Sequence, residues 1–569
     1  MRANHAKLAA TIVTAILTVV LAPMPAPHAQ DSPLLAAMQD EMKRSMAELR
    51  LKGEPAPYYI EYEIDDVASM RAIARLGGVV DDLSSHGRTL RVQVRVGDYA
   101  FDSSRFLTQN NGPAGVVPLA DGGVTTPLDD NYDVIRRQIW LSTDAAYKRA
   151  VSVFAKKTAA FQNRAAAVNL ADFSREKPVE TVLPAISSTP AGREWVDRAQ
   201  QLSSVFASTA GLDTSEVWLS EARGMGYYLN SEGFKVVAPI AIGYMRVTAD
   251  AQSDDGMTVR DAFTLVEDRL QDLPPMAELT TRARALAARV LERRAADVGE
   301  EYTGPVLVEG QASAELLRQS LVPLMLARRP ADAEAGGFGR GGGGGQAQAT
   351  PFLTRIGLRV LSDSFSVSDT PSLKQFNGRS VAGAYAVDDE AVPAKDVALV
   401  EKGRLLTLLT GRTPQRNLPQ SNGHGRSGSV QPGVFQVQST QAVPASELKA
   451  KYLELLKAQD KPFGYIVRAV AAPGDIQTAG PGGPVLMEAV SVTPDGKEEP
   501  VRGLRFGAVP STVFRDILEA SQERTLYNYR LDALTPASVI APNLIFEELE
   551  IQRTRDILQR PPVVPSPLP

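Results

Sequence analysis

The sequence predicts an α+β protein of two domains, and three observations carry that expectation. Short runs of strict apolar alternation mark half-buried antiparallel strands, and apolar residues at three- and four-residue steps mark helices between them. After about residue 350 the helical pattern almost stops and short strands and turns take over. The first half therefore reads as an α/β domain with a sheet and packed helices. The second reads as a mostly antiparallel, barrel-like β domain. With 569 residues there is chain enough for two cores. The expected division is a leader at 1–29, an N-terminal domain at 30–300, a C-terminal domain at 301–555 and a Pro-rich tail at 556–569.

The leader opens with Arg2 and Lys7, continues as an apolar run from Leu8 to Ala22, and is broken by Pro23, Pro25 and Pro27. That run is shorter than the roughly 20 residues a spanning helix needs, so no stable membrane span is expected. Export to the periplasm is the expectation, with cleavage after Ala29; an uncleaved anchor is the alternative, because Pro27 suits a small-x-small site poorly.

Leu34, Leu35, Met38, Met42, Met46 and Leu49 predict an amphipathic helix over 32–50. Tyr58 to Ile64 and Leu90 to Val96 alternate as strands, with His86-Gly87 expected in the turn before the second. Tyr147, Val151 and Phe154 mark a helix, and Trp195, Ala199, Leu202 and Phe206 mark another. Strands on either side of Asn230-Ser231-Glu232-Gly233 form a hairpin, since Asn, Ser and Gly supply its turn. A long helix follows from Met276 to Ala296, whose arginines (Arg282, Arg284, Arg289, Arg293, Arg294) are expected on a solvated face. The glycine-rich segment 336–350 lacks the Lys of a phosphate-binding P-loop and reads as a surface loop. One further helix is expected from Ser446 to Ala458.

Composition removes several function classes. The net charge is −5, and removal of Arg2 and Lys7 leaves 59 basic against 66 acidic residues, about −7. No basic stripe offers itself to phosphates, so nucleic acid is not an expected partner. The chain has no cysteine, which excludes thiolate catalysis and Cys-ligated metal. Beyond the leader only His86 and His424 remain. No H-E-x-x-H and no G-x-S-x-G occurs. Ser446-Glu447-Leu448-Lys449 fits S-x-x-K but lacks its companion motifs, and Ser446 after Pro444 suits a helix N-cap. Asp388-Asp389-Glu390 is expected as a solvated turn, because neighbours on a strand point to opposite faces. Ser421 to Gly428 surrounds His424 and Arg426 with small residues. Two readings of it stand: a loop that approaches a substrate backbone, or a plain exposed loop.

Read in order, five of these segments resemble the TldD/PmbA metallopeptidase family. Tyr228-Leu229-Asn230-Ser231-Glu232-Gly233 resembles its N-S-x-G turn. Gly304-Pro305-Val306-Leu307-Val308-Glu309-Gly310 lies where that family has the strand leading into its metal helix. Val367 to Pro371 with Asp388 to Ala391, and Leu399 to Leu405, resemble its D-x-P, D-[DE]-E-G and L-I-x-x-G-x-L series. Asn422-Gly423-His424-Gly425-Arg426 resembles its N-G-x-x-R loop.

The resemblance implies a metal motif H-E-x-x-x-H, with a cysteine as third ligand. Its first histidine falls on Glu309, its glutamate on Gly310 and its second histidine on Ala314, so no metal cofactor is expected. Glu309 and Glu315 remain as acids, but at 100° per residue they lie on different helix faces. The family also holds a partner subunit without the motif, and its pairs enclose a cavity in which a peptide is held as an added strand. The resemblance thus implies a metal-site-degenerate subunit, as a homodimer or with a metal-bearing homologue, in which Glu315, Asn422, His424 and Arg426 are candidate peptide contacts. Two alternatives stand beside it: an active peptidase or hydrolase with a rebuilt carboxylate site around Glu309, Glu315 and Asp388 to Glu390, and an exported structural or binding protein that keeps the fold alone.

Overall fold

The computed structural model describes residues 32–108, 123–162, 170–333, 350–473, 475–476, 482–554 and 564. The expected leader, the glycine-rich segment except Thr350, and the tail except Val564 lie outside the described residues.

Helix α1 (Pro33–Glu48) begins on a proline, whose missing N–H would have had no helical partner, and buries Leu34, Leu35, Met38 and Met42. Strands β1 (Pro57–Arg75) and β2 (Gly78–Val96) form one long hairpin. Then come β3 (Val124–Thr125), α2 (Tyr132–Gln162), β4 (Glu180–Val182) and α3 (Arg193–Ala207). Strands β5 (Thr214–Asn230), β6 (Lys235–Gln252) and β7 (Thr258–Glu267) lead into α4 (Met276–Ala295). The strands make one sheet in the order β3-β2-β1-β5-β6-β4, with β7 also on β6, and only β4 on β6 is parallel.

All four helices lie on one face of this sheet, because its two faces carry different residues. On β1, Ile60, Tyr62 and Ile64 are buried with α1 and α2, and Met70, Ala72 and Ala74 with α3 and α4. The opposite face turns to the C-terminal half. There Val67 and Ala222 pack with Ala382 and Leu534, and Tyr228 and Val236 with Val387 and Ala391.

The C-terminal half contains β8 (Tyr302–Val308), α5 (Gly310–Ser320), β9 (Phe365–Asp369), β10 (Val397–Glu401), β11 (Arg404–Leu405) and β12 (Val434–Ser439). It continues with α6 (Ala445–Ala458), β13 (Gly464–Val470), β14 (Leu486–Val492), β15 (Glu498–Val501), β16 (Leu504–Phe506), β17 (Ile517–Arg530) and β18 (Pro536–Arg553). Their order is β11-β10-β9-β12-β18-β8-β13-β14-β15, with β16 and β17 also on β18. Leu307 of β8 faces α6 through Leu448, Tyr452 and Leu456, while Val306 and Val308 face α5 through Ala314 and Leu317. A strand buried on both faces reads as a continuous apolar run, as Val306-Leu307-Val308 does.

The mixed α+β class, the largely antiparallel sheets and the expected helices are present. Four expectations are corrected. The C-terminal sheet is open, ending on the short strands β11 and β15, and does not close into a barrel. His86 lies inside β2, opposite Ala68, with its Nε2 2.6 Å from Asp66, and not in a turn. The arginines of α4 are not all solvated: Arg289 and Arg293 pair with Asp261 at 2.8 and 3.2 Å, and Arg293 is buried. Pro444, not Ser446, is the N-cap of α6; Ser446 lies within the first turn and Lys449 pairs with Glu498 at 2.5 Å.

Gly224 sits in the middle of β5, where an added Cβ would lie 1.9 Å from the Asp66 carbonyl oxygen of β1. Gly224→Ala is expected to destabilise the protein by about 1–3 kcal/mol in chemical denaturation. Gly78→Ala, which meets only the Arg75 carbonyl at an ordinary 3.5 Å, stays within about 0.5 kcal/mol of wild type.

Candidate functional site

Strand β8 hands over to α5 at Glu309, an extended N-cap whose side chain makes no capping bond. Its carboxylate instead meets Arg468 of β13 at 3.3 Å, and Arg468 reaches Glu498 at 2.8 Å. Gly310 follows at φ +52°, and its N–H donates to Asn543 Oδ1 at 2.8 Å. Nothing lies within 4 Å of a Cβ built on Gly310, so the left-handed backbone, and not space, is what favours glycine there. Ser313 Oγ donates to the Pro542 carbonyl at 2.6 Å, and Ala314 is fully buried in the C-terminal core. Beside this corner, a cavity of about 150 Å³ between α4 and β13–β15 is lined by Arg289, Arg293, Arg468, Glu488 and Glu498.

Glu315 is fully buried. It accepts from Arg318 Nε at 2.8 Å and Gln319 Nε2 at 2.6 Å, and the Arg318 guanidinium lies 4.8 Å from the Tyr529 ring centre. The side chain expected to meet a peptide is thus held inside the protein.

The acidic turn and the glycine-rich histidine loop, separate in sequence, are stitched together. Asp388 accepts from the N–H groups of Glu390, Val392 and Gly425 at 3.0, 2.8 and 2.8 Å. Asp389 accepts from the Ser427 N–H at 2.6 Å, and Glu390 from the Arg412 N–H at 2.6 Å. The turn is as expected, but its acids hold loops and Asp388 is buried, so it is not a solvated turn.

The loop's own candidates are turned inward. Asn422 Oδ1 accepts from the Thr410 N–H at 2.8 Å and its Nδ2 donates to the Leu408 carbonyl. His424 is fully buried, with Nδ1 2.9 Å from Asn422 Oδ1 and Nε2 3.2 Å from Asp369. Arg426 donates to the carbonyls of Pro432 and Pro536 and lies 4.1 Å from the Tyr385 ring centre. These three shape the loop from within.

Sequence reasoning missed what faces this loop. Tyr59, Glu61, Glu63 and Asp65 alternate on the β1 face that turns to the C-terminal half. Tyr228 Oη donates to Glu61 at 2.8 Å and lies 3.1 Å from Tyr59 Oη. Arg91 pairs with both Glu63 and Asp65 at 2.7 Å. Burial, then Asp65 and Asp389, push the Glu63 carboxyl up to about 8 against the pull of Arg91. Asp65 is raised as well, chiefly by burial. A signal was present in Glu61-x-Glu63-x-Asp65: three acids on one face of a strand mark a polar layer where an apolar one is the rule.

Residues 301–553 match the family described as the PmbA/TldA metallopeptidase C-terminal domain. Over those residues the chain carries a TldD/PmbA-type C-terminal domain. No curated protein matches it in sequence. Among solved structures, a proposed modulator of a DNA gyrase from Thermotoga maritima is similar at a TM-score of 0.56 and 14% identity, covering 90% of this chain and 100% of that one. TldE from Thermococcus kodakarensis is similar at 0.56 and 14%, covering 90% and 99%. A proposed modulator of DNA gyrase from Bacteroides thetaiotaomicron follows at 0.55 and 12%, covering 90% and 98%. These likenesses show a shared fold.

The positions that resemble the family's metal motif do not fit a zinc ion. Glu309 is engaged by Arg468, Gly310 has no side chain, and the Ala314 methyl is packed in the core. Among the described residues no three His, Cys, Asp or Glu side chains converge as a ligand set. Nor do Glu309, Glu315 and the 388–390 acids form a rebuilt site, since each is committed to a different partner.

A carboxyl whose folded pKa is raised stabilises the fold fully below its ordinary range near 4.5, and that contribution fades as pH rises through about 8. Glu63→Gln removes this dependence. Its melting temperature is expected to match wild type near pH 4.5 and to exceed it by about 2 °C or more at pH 8.5, read by thermal unfolding across pH.

Proposed function

We propose that this protein works without the zinc chemistry of the TldD/PmbA family, as a peptide-binding subunit exported to the periplasm. The observation that carries the reading is the entrance of α5, where an arginine-paired glutamate, a left-handed glycine and a buried alanine stand at the three motif positions. A metal-activated water needs ligands to hold it and a base beside it, and this corner offers neither. The leader-like start, Arg2 and Lys7 before Leu8 to Ala22, supports export. The likeness of residues 301–553 to the PmbA/TldA C-terminal domain supports the peptide-binding part of the reading.

The test uses mature protein, secreted with its own leader and without a histidine tag. Elemental analysis is expected to find zinc, iron and manganese far below one atom per chain. Fluorescently labelled, unfolded casein is expected to bind, by anisotropy, and to remain uncut. One tightly held metal per chain, or casein cleavage lost on Glu309→Ala, would overturn the reading.

A further inference from the structure

A groove of about 510 Å³ runs between α1 and the turn that joins β5 to β6. Met42, Met46, Ala47 and Leu229 give it an apolar floor, and Met46 is 38% exposed. Methionine is unbranched and polarisable, so it moulds itself to apolar side chains of different shape. Two methionines one helical turn apart thus make a floor that accepts apolar side chains without selecting one of them.

The rim carries charge of one sign. Lys43 is exposed and makes no hydrogen bond or ion pair among the described residues. The acids next to it on α1 are engaged elsewhere, Asp40 with Tyr132 at 2.6 Å and Glu41 with Arg44 and Arg136. No carboxylate lines the groove, and Gln39 adds an amide. On the turn side stand Ser231 and Gly233, whose carbonyls accept no hydrogen bond among the described residues.

This pattern fits one end of a peptide. In an extended chain successive side chains point to opposite faces, so an acidic residue beside an apolar one turns its carboxylate away from the floor. A terminal carboxylate sits on the main chain next to the last side chain, so a single residue supplies both groups. The open carbonyls of the turn need N–H donors, which a peptide has and a fatty acid lacks.

We propose that this groove binds the C-terminus of a peptide ending in apolar residues, with the last side chains on Met42, Met46 and Leu229 and the carboxylate on Lys43. The proposal rests on the peptide-binding reading and names the part of the peptide that is held.

Anisotropy of a fluorescein-labelled hexapeptide ending in Leu-Leu, as free acid and as C-terminal amide, tests it on the mature protein. The acid is expected to bind about 3–5-fold more tightly than the amide, the worth of an exposed ion pair. Lys43→Gln is expected to abolish that difference, and Met46→Asp to weaken both forms about 10-fold by placing a charge in the floor. Both positions are exposed, so both variants are expected to melt within about 2 °C of wild type. Equal binding of acid and amide to wild type, or a preference that survives Lys43→Gln, overturns the proposal. Dodecanoate that binds in a Lys43-dependent way while neither peptide binds overturns it in favour of a lipid. Labelled casein separates this proposal from the broader one. Casein that binds wild type and Met46→Asp alike overturns the groove and leaves peptide binding intact. Casein that binds neither, beside a hexapeptide with the Lys43-dependent preference, fails the broader reading alone.

Discussion

The arrangement depends on one buried cation. Arg412 has no exposed side-chain surface, and its guanidinium meets Glu232 at 2.7 Å and the Ser174 carbonyl at 2.6 Å. It stacks 3.8 Å from the Phe173 ring centre, with Tyr59 and Phe234 at 5.5 and 5.6 Å. Its own N–H holds Glu390, and its carbonyl accepts the Ser174 N–H. One residue of the C-terminal half thus ties the 230–233 hairpin turn, the 172–174 segment and the acidic turn together. Removing one partner of such a buried pair typically costs about 3–5 kcal/mol, because the other charge is left without compensation.

Around this anchor the two halves meet through a mixed layer, apolar at Val67, Ala222 and Ala382 and acidic at Glu63, Asp65 and Asp389. The apolar contacts hold the layer together, and the acids make it responsive to protons. That division explains why the acidic turn bonds so many backbone N–H groups: each donor fixes a loop that would otherwise be free to leave the interface. It also explains why His424 and Arg426 are inside. They support a loop that docks against the other half.

Elements that bury one face were legible in the sequence. Helices α3 and α4 and the hairpin at 230–233 show their periodicity or turn chemistry plainly, since one side meets a core and the other water. The outer half of the β1–β2 hairpin was not legible. Residues 78–87 meet no core on either face, so no alternation records their strand, and His86 looked like a turn residue. Long-range pairs were equally silent. Nothing local links Arg412 to Glu232, or Glu315 to its place in the interior, and Arg293 carries the same helix periodicity whether it meets water or Asp261. The motif positions were readable by residue type, but the backbone that holds them was not.

That backbone bears on what this corner could become. At Gly310 the chain turns left-handed to enter α5, a conformation that costs an ordinary side chain of order 1 kcal/mol or more. Installing a histidine, a glutamate and a second histidine there would therefore not recreate a metal site by itself. The glutamate would strain the turn, and the second histidine would be driven into close-packed core in place of a methyl group. Three letters separate the two motifs, but the path between them passes through a rebuilt helix entrance, which makes the present state of this corner hard to reverse one substitution at a time.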